Sequence, residues 1–384
     1  MSAFVTDANY KHTLAIVRSL GSRGIEVDVG VSSPSLQLSS FSKYCRGSFI
    51  YPDPKKDLDV FVRFFRKICN HYDTIIPVGY VTTFFLSMKK DSIDCNAKIP
   101  VADFPLLKIA ASKKDSILLA KELGVPTPIT FFPSNSSELM DLKIESYPVV
   151  VKAVYEGGLV RYAYNKQDLK EKFEEIYKLQ GVPPLVQEFI KGVGYGFFAL
   201  FNQGKPRAIF AHKRVRERYV IGGPSTCAES VFVPELMNYG IRILKALDWH
   251  GVAMVEFRRD FNDGKFKLME INPKFWGSLD LAIASGVDFP YLLYKMVIEG
   301  DVNPVFNYKV GLRFMWPLPD DLLRTLNNLT SAKSFLSDLL NPYVKKNIVL
   351  TDLKPTLSLI RDGIFLIISK KFHRLVFPRP VYIF

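Results

Sequence analysis

The sequence is poor in the features that mark several protein classes. Its 384 residues include only four cysteines, Cys45, Cys69, Cys95 and Cys227, and no CxxC pair. That argues against a disulfide or zinc framework and suits reduced thiols. No run approaches the roughly 18 apolar residues that span a bilayer. The stretch "GIFLIIS" (Gly363–Ser369) is far shorter and follows Arg361 and Asp362. The opening "MSAFVTDANYKHTLAIVRSLG" has no apolar signal core with a small-residue cleavage site. Together with the thiols, this makes a cytoplasmic protein the expectation. No GxGxxG follows the first strand pattern, so a dinucleotide site has no support. None of the five histidines has metal-ligand spacing. Internal repeats and low-complexity tracts are absent as well.

Acidic residues are also scarce: 38 Asp and Glu against 51 Lys and Arg, a formal charge of +13. A basic balance favours anionic partners such as nucleotides, phosphorylated or carboxylate substrates, nucleic acid or an acidic membrane surface. Part of the excess is local, since from Asp301 onward basic residues outnumber acidic ones twelve to six. Apolar residues make up 48% of the chain, enough for sizeable cores.

The first hundred residues alternate strand and helix patterns. "AFVTD", "IEVDVGVS" and "DTIIPVG" read as strands, and "KHTLAIVRSLGSRG" and "LDVFVRFFRKICNHY" as amphipathic helices. This βαβ order predicts a parallel sheet with crossover helices. A second region opens at "SKKDSILLAKELGVPTPITFF", where Ser112 and Asp115 have capping-box spacing and Gly124 ends the helix. Up to about Val305 strands and helices mix. The last eighty residues read as mostly helical and basic, with an aromatic tail.

The most informative stretch is "GVAMVEFRRDFNDGKFKLMEINPKFWGS". Asn262-Asp263-Gly264 is a hairpin turn signal. Only one register gives a clean apolar face, pairing Phe261 with Lys265, Phe257 with Met269 and Val255 with Ile271. That register sets Glu256 opposite Glu270, with Asn272 next along the same face. Opposed carboxylates destabilise a sheet unless a cation neutralises them, and Mg²⁺ prefers such oxygen donors. A solvated hairpin face is the alternative. Elsewhere, "YPVVVKAVYEGG" puts Lys152 on a Val-rich strand just before Glu156, Gly157 and Gly158, a phosphate-cradling arrangement or an ordinary edge strand and turn. "AHKRVRERYVIGGPSTCAES" concentrates Arg214, Arg216 and neighbouring cations beside a glycine-rich loop, suited to an acidic small molecule or to plain solvation.

Taken in order, "SKKDSILLAKELGVPTP", "YPVVVKAVYEGG", "PLVQEFIKG", "MVEFRRD" and "LMEINPKFWGS" resemble the ATP-grasp superfamily, in the branch of carbamoyl-phosphate synthase and biotin carboxylase. The resemblance implies an α/β architecture: an N-terminal parallel α/β domain (1–110), a two-lobed α+β ATP-grasp domain (111–305, with an ATP-binding lid at about 118–190) and a basic, mostly helical C-terminal region (306–384). It implies a ligase that activates a carboxylate as acyl phosphate for attack by an amine or other nucleophile. A phosphotransferase and a nucleotide-gated binding protein are the alternatives. ATP and Mg²⁺, or Mn²⁺ in its place, are the implied cofactors.

Carried over by position, Lys113 and Lys152 contact phosphate and Glu156–Gly158 form the glycine loop. The backbone of Gln187, Glu188, Phe189 and Ile190 reads adenine. Glu256 and Glu270 hold Mg²⁺, assisted by Asn272. Lys274 steadies the transferring group where many relatives have arginine. Independently of the resemblance, the basic stretch with Arg214 and Arg216 is where the acceptor carboxylate is expected, unless its charges are merely solvated. Gly194 stands where the family often has a ribose-gripping glutamate. The partners expected are a small-molecule carboxylate and a nucleophilic co-substrate, without nucleic acid. A homodimer is allowed, and contact of the tail with a membrane surface is the lesser reading.

Overall fold

A computed structural model describes residues 1–33, 37–93, 95–155, 159–219 and 223–368, the last seven of these by backbone alone. The chain divides into two units, one made of Met1–Val101, Arg207–Phe232 and Lys274 onward, the other of Ala102–Pro206 and Val233–Pro273.

The first unit contains the expected parallel sheet. Its strands run in the order Cys45–Ile50, Glu26–Val31, Ser2–Val5 and Thr74–Ile76, all parallel. The helix Leu58–Ile68 packs on it because its apolar residues recur at helical spacing, burying Phe61, Val62 and Phe65. Asp57 caps that helix by accepting from the Val60 N–H at 2.9 Å. Phe4, Tyr51, Phe61, Phe65 and Ile75 form the core, with Phe4 and Phe65 edge to face at 6.0 Å. The strand Cys45–Ile50 was not predicted. It lies at the sheet's edge and is largely exposed, so it lacks the apolar signal that marks its neighbours. In the same unit Ser225–Ser230 pairs with the end of Lys205–Glu217 and with Arg313–Met315. The helices Leu322–Asn327, Ala332–Leu340 and Lys354–Ile368 give the C-terminal region the expected helical character. The aromatic tail from Ser369 lies outside the described residues.

The second unit has two antiparallel sheets. In one, Gly251–Asp260 lies between Gly192–Asn202 and Phe266–Asn272. In the other, the order is Thr130–Phe131, Leu185–Glu188, Val149–Lys152 and Val160–Ala163. The helix Lys166–Gln180 covers the second sheet through Leu169, Phe173 and Ile176. It starts at Asn165, whose side chain accepts from the Asp168 N–H, and stops at Gly181 with φ +68°. The helix Lys113–Glu122 begins as expected, with Ser112 Oγ accepting from the Asp115 N–H at 3.2 Å.

Candidate functional site

The hairpin Gly251–Asp260/Phe266–Asn272 builds the site. Val255 pairs with Ile271, Glu256 with Glu270 and Met254 with Asn272, the register expected near the carboxylates. Toward the turn the pairing shifts by one. Phe257 meets Leu268 rather than Met269, and the Asp260 N–H donates to the Lys265 carbonyl, where Phe261 opposite Lys265 was expected. A β-bulge after Glu256 absorbs the extra residue. It lets Gly264 take its left-handed conformation (φ +70°) in a longer loop while the carboxylates stay opposed.

Around these carboxylates the second unit gathers cations. Lys113, at the start of its capped helix, places Nζ 3.1 Å from Glu270 Oε2. Its backbone N–H donates to the Val154 carbonyl at 2.9 Å, fixing the helix start to the end of the Lys152 strand. Asn272 Nδ2 donates to Glu270 Oε1 at 3.1 Å. Burial alone would raise the Glu270 carboxyl, but Lys113, the Asn272 hydrogen bond and Lys152 outweigh it and hold the group well below the usual carboxylate range. Glu270 is therefore held as an anion.

Lys152 lies deeper. Its Nζ donates to Gln187 Oε1 at 2.6 Å, and buried Gln187 donates in turn to Thr130 Oγ1 at 3.0 Å. Burial pushes the Lys152 ammonium down to about 8; Lys113 and Arg258 push the same way, while Glu270 and Glu256 partly offset them. These fields bring Lys113, Lys152, Glu256, Arg258 and Glu270 into one neighbourhood. Arg258 was missed in the sequence reading. Its signal was the two-residue alternation that puts it on the strand face of Glu256. Gln187 was expected to act through its backbone, yet its side chain positions Lys152. Glu188 Oε1 accepts from the Ile129 N–H at 3.0 Å and from Lys267 at 3.1 Å, anchoring the neighbouring segment. Phe189 packs edge-on against Tyr162 at 5.8 Å, and Ile190 is buried. Gly194 pairs with Arg258, so no carboxylate stands at that position. Glu156, Gly157 and Gly158 lie outside the described residues.

The other unit holds Lys274, Arg214 and Arg216. Lys274 lies near His12, a residue not singled out from the sequence. Arg214 Nη1 pairs with Glu217 at 3.0 Å and donates to the Gly223 carbonyl. Arg216 is buried between Asp321, at 2.7 Å, and Asp338. Its guanidinium is thus engaged by two buried carboxylates, an anchoring arrangement rather than an open receptor for an acid. Sequence reading took its charge at face value because Asp321 and Asp338 lie more than a hundred residues away.

Among the described residues, no group of three or more His, Cys, Asp or Glu could hold a metal ion. The donor set here is two carboxylates and one amide oxygen. That set fits Mg²⁺, which needs few protein oxygens when phosphates and water complete its shell.

Two opposed carboxylates, one of them met by Lys113, with Lys152 and Arg258 in the same neighbourhood, thus stand beside a Val-rich strand and a capped helix. The family model "ATP-grasp in the biosynthetic pathway with Ter operon" matches residues 182–316. The D-alanine–D-alanine ligase of Acetivibrio thermocellus is 28% identical over 40% of this chain and 45% of its own. A biotin carboxylase complex with "beta-gamma-ATP" from Campylobacter jejuni aligns over 81% of this chain and 74% of its own, with a TM-score of 0.66 and 17% identity. The biotin carboxylase domain of the Hydrogenobacter thermophilus 2-oxoglutarate carboxylase, solved with MgADP, ADP and bicarbonate, covers 81% and 73%, with a TM-score of 0.64 and 15% identity. The chain spans less than half the length of the curated relatives it matches. The fold is that of the ATP-grasp proteins, and the resemblance read from the sequence is borne out. No described helix is long and apolar enough to cross a membrane.

Proposed function

We propose that the protein is an ATP- and Mg²⁺-dependent ligase. It would activate a small-molecule carboxylate as an acyl phosphate, which an amine or another nucleophile then attacks. The observation that carries this reading is the Glu256–Glu270 pair, opposed across the hairpin and met by Lys113. In free protein Lys113 neutralises Glu270, so a divalent ion and a phosphate can replace this contact by an equivalent charge balance. Glu256, Glu270 and Asn272 would hold the metal, which when bound supplies charge neutralisation of the phosphate oxygens. Lys113 and Lys152 would grip phosphate, and Gln187 holds Lys152 in place before the nucleotide arrives. Bringing two anions together is the difficulty of this chemistry, and fixed charges already oriented in the free protein lower that cost.

Lys274 and Arg214 remain candidates for the acceptor side, and Arg216 is better assigned to anchoring. The glycine loop at 156–158, the adenine-reading backbone at 187–190, a functional segment spanning 111–305 and a cytoplasmic location belong to the same proposal. It is tested by screening carboxylates, with amines present, for stimulated ADP release and analysing the products. ADP and phosphate with a condensed product supports the ligase. A stable phosphorylated acceptor would make the protein a phosphotransferase, and ATP binding without stimulated turnover would make it a nucleotide-gated binder.

A further inference from the structure

The parallel sheet reverses its direction of growth. The chain moves outward from Ser2–Val5 to Glu26–Val31 and Cys45–Ile50, then returns to Thr74–Ile76 on the other side of the first strand. Such a switch opens a crevice at the carboxyl ends of the strands, where α/β sheets bind ligands. The helix Lys11–Gly21 starts just after the first strand. Its N-cap Tyr10 makes no side-chain cap hydrogen bond, and its first turn holds no acidic residue. Neither the N-cap side chain nor any residue of the first turn therefore offsets the partial positive charge of the helix start.

A helix start alone decides nothing, but His12 adds an independent sign. The residue is only 8% exposed. Its ring stacks on the N-cap Tyr10, with centroids 5.0 Å apart and planes at 12°, which holds it at the helix start. Neither Nδ1 nor Nε2 finds a hydrogen-bond partner among the described residues. Buried polar groups are normally satisfied, and an orphaned one calls for a ligand or a water. Cations outnumber carboxylates around it, for Lys11, Arg218 and Lys274 are faced by Asp320 and by Asp280, which accepts from Trp316 Nε1 at 2.9 Å. Lys11 Nζ lies 2.8 Å from Asp320 and 4.9 Å over the Trp316 ring. Arg218 shares the same Asp320, and Lys274 adds a further positive charge near the ring. Burial, then Lys274 and Lys11, keep the imidazole far below its ordinary pKa, so it stays neutral, with one N–H to give.

We propose that His12, with the start of its helix and with Lys11 and Lys274 beside it, binds the carboxylate of the acceptor substrate. The cations and the helix start supply attraction, and the ring N–H supplies direction. The assignment of this anion as the acceptor rests on the ligase reading; the anion site itself does not need nucleotide.

The test uses the full chain without nucleotide and follows histidine ring ¹H–¹⁵N signals during titration with acetate, bicarbonate and inorganic phosphate. Loss of a signal in His12→Leu assigns His12, and retained ATP binding by that variant shows that it folds. The expected result is a saturable shift of the His12 signals with acetate or bicarbonate. His12→Leu should weaken that binding about ten- to hundredfold, the worth of one hydrogen bond to a charged group, and His12→Gln, which keeps a donor, should recover part of it. No saturable shift with either carboxylate-like anion at millimolar concentrations, or a shift with phosphate alone, would overturn the proposal. Failure of the nucleotide-site reading would show separately, as unimpaired turnover in Glu270→Gln.

Discussion

Glu270 is held as a carboxylate by Lys113 and Asn272 and stands opposite Glu256, where the proposed metal would add to the charge that Lys113 already supplies. Glu270→Gln keeps the shape and the Asn272 contact but removes the charge. Turnover of Mg²⁺-ATP should then fall by about 10²–10³-fold, the usual cost of losing one preorganised electrostatic contact, with the thermal unfolding curve little changed. Lys152→Ala should act mainly on binding, weakening ATP by roughly tenfold or more, read by calorimetry. The pH dependence follows from burial. In free protein Lys152 titrates near 8, below its ordinary 10.5. Below that pH it is protonated and can pair with phosphate; above it the neutral amine must take up a proton before pairing. ATP affinity should therefore decline as pH rises through about 8, with proton uptake on binding, and Lys152→Arg should flatten the decline. An affinity independent of pH between 7 and 9 in the native protein would contradict the assignment of Lys152.

At the scale of elements, the hairpin explains both what the sequence made legible and what it hid. Alternation of apolar and acidic residues fixed the register at Glu256 and Glu270, because a slip there would bury carboxylates. It failed toward the turn, where Arg258, Arg259 and Lys267 carry no apolar pattern to enforce pairing and a bulge changes the count. Strands rich in Val or Phe, such as Val149–Lys152 and Gly192–Asn202, were legible for the same reason that the edge strand Cys45–Ile50 was not. Packing constraints give two tests. In the helix Pro234–Ala246, a Cβ on Gly240 would come 2.1 Å from Phe197 Cδ1, so Gly240→Ala should destabilise by about 1–3 kcal/mol in urea unfolding. Asp321 is fully buried against Arg216, and Asp321→Asn should cost about 3–5 kcal/mol by leaving the guanidinium under-paired. If Asp321→Asn were neutral, the anchoring role of Arg216 would fail.

For the whole molecule, the fold class was readable because a βαβ opening and five ordered motifs constrain topology more than any one residue does. The composition of the two units was not readable. The chain leaves the first unit after Val101, returns at Arg207, leaves again after Phe232 and returns at Lys274. No local signal marks such returns, since each segment looks like its neighbours in polarity. For the same reason the partners of Arg216 and the surroundings of His12 were invisible: they come from segments far apart in the chain. The surplus of positive charge lies almost wholly in the first unit, with 32 basic against 20 acidic residues, while the second is nearly balanced at 19 against 18; a basic first unit suits a reactant that is itself an anion. The central claim is that Glu256 and Glu270 bind ATP through a divalent ion. Calorimetric ATP affinity, measured with and without Mg²⁺ in the native protein and in Glu270→Gln, tests it most directly. Mg²⁺ should tighten binding in the native protein and lose most of that effect in the variant; an equal Mg²⁺ effect in both would contradict it.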